Sequence, residues 1–255
     1  MRRAFTLFEL LMVIAIIALL AGILFPVIAT VKGSASASTA LSQMREIGRA
    51  TTLYANDQDG RLPMSANYGA PQAKGRLWTT GVQTYAKSEA IFTAPTSEGK
   101  FAKSWAERGT ATIGLNSSTA FNVNGCRPNE PEMAGCQSFT EALSLDGLSS
   151  STAALLACTP GGDTEKGYRG FEFNPYNGTP NPEKPKQTAP LVSDRDLVAA
   201  LEGFPGDQLK PIFARYGSTG KDDGRTPIIF ADGSGKSFTA KHLVGKNSGI
   251  IWQLR

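Results

Sequence analysis

Histidine is nearly missing: His242 stands alone among 255 residues, with no Cys, Asp or second His at ligand spacing. The three cysteines, Cys126, Cys136 and Cys158, form no Cys-x-x-Cys. A zinc site is therefore not expected. There is no glycine-rich phosphate loop, no Ser/His/Asp grouping and no pair of carboxylates in a cleft-like context. No catalytic residue is assigned, and the chain is not read as an enzyme. An excess of one charge is missing too. The 26 Lys and Arg face 22 Asp and Glu, a net charge of +4, and no basic face points to nucleic acid.

What is present begins at the N-terminus. Phe5-Thr6-Leu7-Phe8-Glu9-Leu10-Leu11 opens a run that carries no ionisable side chain from Leu10 to Val31. A helix of that length crosses a hydrocarbon core of ~30 Å. Glu9 is the anomaly, because a carboxylate at membrane depth costs roughly 2.5 kcal/mol or more. A pure anchor has no need of it; the competing reading is an anchor whose Glu9 snorkels to the headgroups. Met1-Arg2-Arg3-Ala4 forms a short basic leader, and no small-x-small cleavage site follows the apolar run, so the hydrophobic segment is expected to be retained.

Basic leader, small residue, Phe5-Thr6-Leu7-Phe8-Glu9 and about twenty apolar residues together resemble the N-terminal processing and methylation motif of type IV pilins and type II secretion pseudopilins. The resemblance implies cleavage by a membrane peptidase between Ala4 and Phe5 and methylation of the new Phe5 amine. Ala4 departs from the Gly that the family prefers before the cut. It also implies that Glu9 pairs with a Phe5 amine, its own or a neighbour's, which offsets the cost of both charges in lipid and sets the stagger between helices.

Gly22 and Pro26 lie inside the apolar run. Proline removes a helical hydrogen bond, so a kink or local opening is expected. In pilins of this pattern such a pair marks the segment that loosens on assembly; an ordinary stabilised proline kink is the alternative. From Lys32 the pattern turns amphipathic, with Ala37, Leu41, Met44, Ile47 or Gly48, Thr51 and Tyr54 at helical steps. The Ser- and Gly-rich stretch 33–39 weakens helix propensity and suggests a bend. Asn56-Asp57-Gln58-Asp59-Gly60, followed by Pro63, stops the helix. A calcium reading of those acids lacks the late Glu of an EF-hand.

Beyond residue 60, many of the 27 Gly and 15 Pro indicate a head rich in turns. Cys126 and Cys136 sit in matching Gly-Cys contexts and form a candidate disulfide; connectivity stays open in a sequence. Cys158 is left over and expected to be buried. Residues 152–157 read as a strand, and 111–116 resembles a short central strand of the pseudopilin-like family. Residues 160–190 read as a long loop, either a binding element or a surface insertion, and 194–202 carries a short helical pattern. Thr226 to Phe238 reads as strand, Asp232-Gly233 turn, strand. Helix, Tyr54-Ala55-Asn56-Asp57-Gln58-Asp59-Gly60-Arg61-Leu62-Pro63 and the Asp-Gly hairpin resemble a bacterial pseudopilin-like subfamily. Ala94, Tyr216 and Ser234 stand where that subfamily has a Cys and two His, so a disulfide or histidine chemistry seen in relatives is not carried over. Asp222-Asp223-Gly224 is a candidate calcium loop of the kind in major pseudopilin heads; no other cofactor is expected.

The expected architecture is α+β and pilin-like. It comprises a leader (1–4), a transmembrane helix (5–31), its amphipathic continuation (32–56) and an extracytoplasmic head with an antiparallel sheet (57–255). The resemblance implies a structural subunit of a type IV pilus or a type II secretion pseudopilus. Its partners would be other pilin subunits, prepilin peptidase and inner-membrane assembly machinery. It would sit single-pass in the bacterial inner membrane and then in a cell-envelope filament. The alternative is a membrane-tethered binding module that never polymerises.

Overall fold

The computed structural model describes residues 7–67, 70, 75–121, 141–146, 148, 151–161, 168–178, 183–195, 197, 209–245 and 248–254, the side chains at 26, 27, 29, 30 and 121 apart. Helix α1 runs without interruption from Leu7 to Asp57. The Ser-rich stretch stays helical, with hydroxyls bonded back to the preceding turn: Ser38 Oγ donates to Ser34 O and Thr39 Oγ1 to Ala35 O, each at 3.1 Å. The helix stops as its sequence dictates. Asp59 and Gly60 take φ of 53° and 77°, and Gly60 N–H caps Ala55 O at 2.8 Å.

Among the described residues nine strands follow: β1 (Ile113–Asn116), β2 (Ala120–Phe121), β3 (Glu141–Ala142), β4 (Ala154–Cys158), β5 (Glu172–Phe173), β6 (Val192–Ser193), β7 (Ile212–Phe213), β8 (Arg225–Phe230) and β9 (Gly235–Thr239). Two short helices, α2 (Trp78–Val82) and α3 (Ala240–Leu243), complete the described elements with several 3-10 turns. The main sheet has the order β5-β1-β4-β8-β9. Its β1–β4, β4–β8 and β8–β9 pairs are antiparallel, as expected, but β5 joins β1 in parallel, so the sheet is mixed.

Strand β4 is buried along its whole length, which explains its unbroken apolar sequence. A register irregularity between Ala154 and Leu156 lets two successive leucines, Leu155 and Leu156, join the same core. That core lies between the sheet and α1 and contains Met44, Ile47, Trp78, Phe92, Leu115 and Ile229. A second core on the opposite face gathers Ala157, Phe173, Ile228, Leu243 and Trp252. The hairpin β8–β9 forms where the Asp-Gly turn was expected, with Gly233 at φ 78°.

The 160–190 segment corrects the loop reading. Tyr168, Phe171, Glu172, Phe173 and Asn174 are all buried, and β5 extends the sheet. Most of 194–202 lies outside the described residues, as do Cys126 and Cys136; Cys158 is a free, fully buried thiol.

Candidate functional site

The feature with functional consequence is the division of α1 into two halves. Leu7 to Phe25 is a helix long and apolar enough to cross a membrane, and none of it is buried against the head. Glu9 is exposed on this half, within its first turn. Gly22 is exposed too, with open space where a Cβ would stand. Pro26, one turn further on, has no N–H to give the carbonyl of Gly22, so one helical bond is absent at this point of an otherwise continuous helix. Ala4 and Phe5, the expected processing site, lie outside the described residues.

The second half is gripped. Ala37, Ala40, Met44, Ile47, Gly48, Ala50, Thr51 and Ala55 are buried, a stripe dominated by small residues that lets the helix lie close on the sheet. The amphipathic pattern anticipated Ala37, Met44, Ile47, Gly48 and Thr51; it missed Ala40, Ala50 and Ala55, whose size carries a weak hydrophobic signal. Two glycines set the spacing. A Cβ on Gly33 would stand 2.8 Å from Gly217 Cα, and one on Gly48 would stand 2.7 Å from Ile229 Cγ2 and 3.3 Å from Gly233 Cα. Arg45 adds a hydrogen bond from Nη2 to Gly235 O at 2.7 Å. The β8–β9 hairpin thus runs along α1, its turn against Gly48 and its open end toward Gly33.

The head behind this seam is braced by polar groups that sequence reading did not find. Lys210 Nζ meets Glu172 Oε1 at 2.8 Å, both side chains about 5% exposed or less. Ser65 Oγ donates to the other carboxylate oxygen at 2.8 Å. One carboxylate so ties the chain after α1, strand β5 and the segment before β7. Asn116 is equally saturated: its Nδ2 donates to Ala154 O and Trp252 O, and its Oδ1 accepts from Ser118.

The remaining expected sites are placed as follows. Asp223 is exposed, and Thr219 donates to its carboxylate through both backbone N–H and hydroxyl, which pulls its pKa below the usual carboxylate value. Tyr85 OH donates to Asp57 at 2.9 Å. His242 is exposed and stacks on Phe238 at 5.1 Å. Among the described residues no three His, Cys, Asp or Glu side chains gather where a metal would need them. A cleft of about 320 Å³ beside Tyr54, Trp78, Asn67 and Lys103 brings no acid and base together among its lining residues.

Residues 1–25 match the family described as the prokaryotic N-terminal methylation motif. Comparison with curated proteins and with solved structures found no match to the chain. A methylation motif on an exposed apolar helix marks the N-terminal segment as pilin-like and fits a single-pass membrane anchor, and the continuation of that helix lies along a sheet-bearing head.

Proposed function

We infer that the chain is a structural subunit of a type IV pilus or type II secretion pseudopilus, held in the bacterial inner membrane with its head outside the cytoplasm. Prepilin peptidase cuts it between Ala4 and Phe5 and methylates Phe5. The observation that carries this reading is the bare apolar half of α1 with a carboxylate, Glu9, near its start. Such a surface has two homes, lipid or other copies of the same helix. In lipid the carboxylate costs roughly 2.5 kcal/mol or more, and a neighbour's α-amine offsets that cost in a bundle. Gly22 and Pro26 supply the point where the helix loosens as it moves from one home to the other. Pilin subunits, the peptidase and the inner-membrane assembly machinery are the partners.

One experiment on the native host tests both steps. N-terminal peptide mass spectrometry of the membrane fraction is expected to find methyl-Phe5. Sheared filaments are expected to contain the wild type and to lack Glu9→Ala, which remains in the membrane. Equal incorporation of both would refute the role of Glu9, and an intact Met1 start would refute processing.

A further inference from the structure

The helix carries a ruler that locates the head relative to the bilayer. At 1.5 Å per residue, the uncharged run that ends at Val31 spans the ~30 Å hydrocarbon core, and the headgroup layer adds roughly 5–7 Å, about four residues. Lys32 and Gly33 therefore lie in the headgroup layer of an inserted subunit. Gly33 is also where the head touches the helix lowest among its glycine contacts, against Gly217. The loop that Gly217 opens is consequently at headgroup level.

Its composition fits that level. Residues 217–223 are all exposed. Lys221 and Arg225 belong to this end of the head, and Lys32 stands next to Gly33 on α1, all three exposed. Helix α3 is tied to the same place: Ala240 N–H donates to Gly224 O at 2.8 Å and Lys241 N–H to Asp222 O at 3.0 Å. Lys241 is exposed as well. Against these four cations stand the exposed Asp222 and Asp223; Asp194 lies behind the loop, buried, near Gly224 N at 3.4 Å. One turn along α3, Val244 is 55% exposed, and outside α1 it is the one large hydrophobic side chain so exposed among the described residues.

We propose that this rim, formed by Lys32, Lys221, Arg225, Lys241 and Val244, is a docking surface for anionic phospholipid headgroups in the membrane-stored subunit. The lysines take the phosphates, Val244 enters the interface, and the head is held upright at a fixed height. The proposal rests on the anchor reading and not on polymerisation. Each net positive charge beside an anionic surface shifts a docking equilibrium about fivefold, so two shift it about 25-fold.

The test is hydrogen–deuterium exchange of the full chain in nanodiscs of phosphatidylcholine alone and in nanodiscs enriched in phosphatidylglycerol. Amides in 217–224 and 240–245 are expected to exchange at least several-fold more slowly in the anionic discs, and the difference is expected to vanish at ~1 M salt, where the screening length is about 3 Å. Equal exchange in the two discs would overturn the proposal. The triple variant Lys32→Gln/Lys221→Gln/Lys241→Gln is expected to lose the lipid dependence while amides 225–230 keep their protection; a retained dependence would also overturn it. If that variant fails to fold, the two-lipid comparison on wild type still decides. Failure to enter discs at all would overturn the anchor reading together with this one. Insertion with unchanged rim exchange would overturn this one alone.

Discussion

Gly48 offers a test in which two physical effects oppose each other. In an open helix, replacing glycine with valine gains propensity, though only about half a kcal/mol because the β-branch restricts χ1. Here the first carbon added would stand 2.7 Å from Ile229 Cγ2, a fully buried side chain, and 3.3 Å from the Gly233 backbone. Valine adds two methyls beyond that point. Forcing such groups into a packed contact costs typically ~1–3 kcal/mol. The steric term wins, and Gly48→Val is expected to lose about 0.5–2.5 kcal/mol net. For a chain of this size that lowers the melting midpoint by roughly 1–10 °C. Near-UV circular dichroism of the full chain in detergent, reporting Trp78, Trp105 and Trp252, reads it. Gly22→Val is the companion, because nothing lies within 4 Å of its added carbon, and the head's midpoint is expected to stay put. A Gly48→Val protein melting at or above the wild type would refute the seam geometry.

Two further outcomes follow from the head. Lys210→Met leaves the Glu172 carboxylate buried without its cation and is expected to cost about 3–5 kcal/mol in thermal unfolding, whereas the double change with Glu172→Leu is expected to lose clearly less. Burial pushes the Cys158 thiol above its ordinary pKa, with Arg215, Thr226 and Tyr216 opposing the shift. The folded state then holds the proton more tightly than the unfolded chain, so stability is full below an unfolded thiol pKa of ~8.5 and falls as pH rises beyond it. Denaturant unfolding between about pH 8.5 and 10 is expected to show that slope, and Cys158→Ala to reduce it. No change of slope would place its cause elsewhere.

Much of this architecture was legible because its signals are local. The apolar run, the helix stop at Asp59-Gly60 and the Asp232-Gly233 hairpin each declare themselves within a few residues, through backbone chemistry that leaves little choice. Strand β5 was not legible. It is two residues long, and its Glu172 reads as surface until Lys210 and Ser65, distant in sequence, arrive to neutralise it. Gly33 was misjudged for a related reason. Beside serines it looks like a weak point in a helix, and only the approach of Gly217 reveals that the missing side chain is the condition for contact. Ala4 and Phe5 entered only through the family resemblance, and both lie outside the described residues.

The two glycine contacts at Gly33 and Gly48 are fifteen residues apart, about 22 Å along the helix at 1.5 Å per residue. A tension applied along the helix axis therefore loads both points, and the apolar seam between them, in shear. All of it has to yield at once. A pull across the axis would open the same seam from one end, a contact at a time. A head mounted this way is mechanically strong along the helix axis and weak across it.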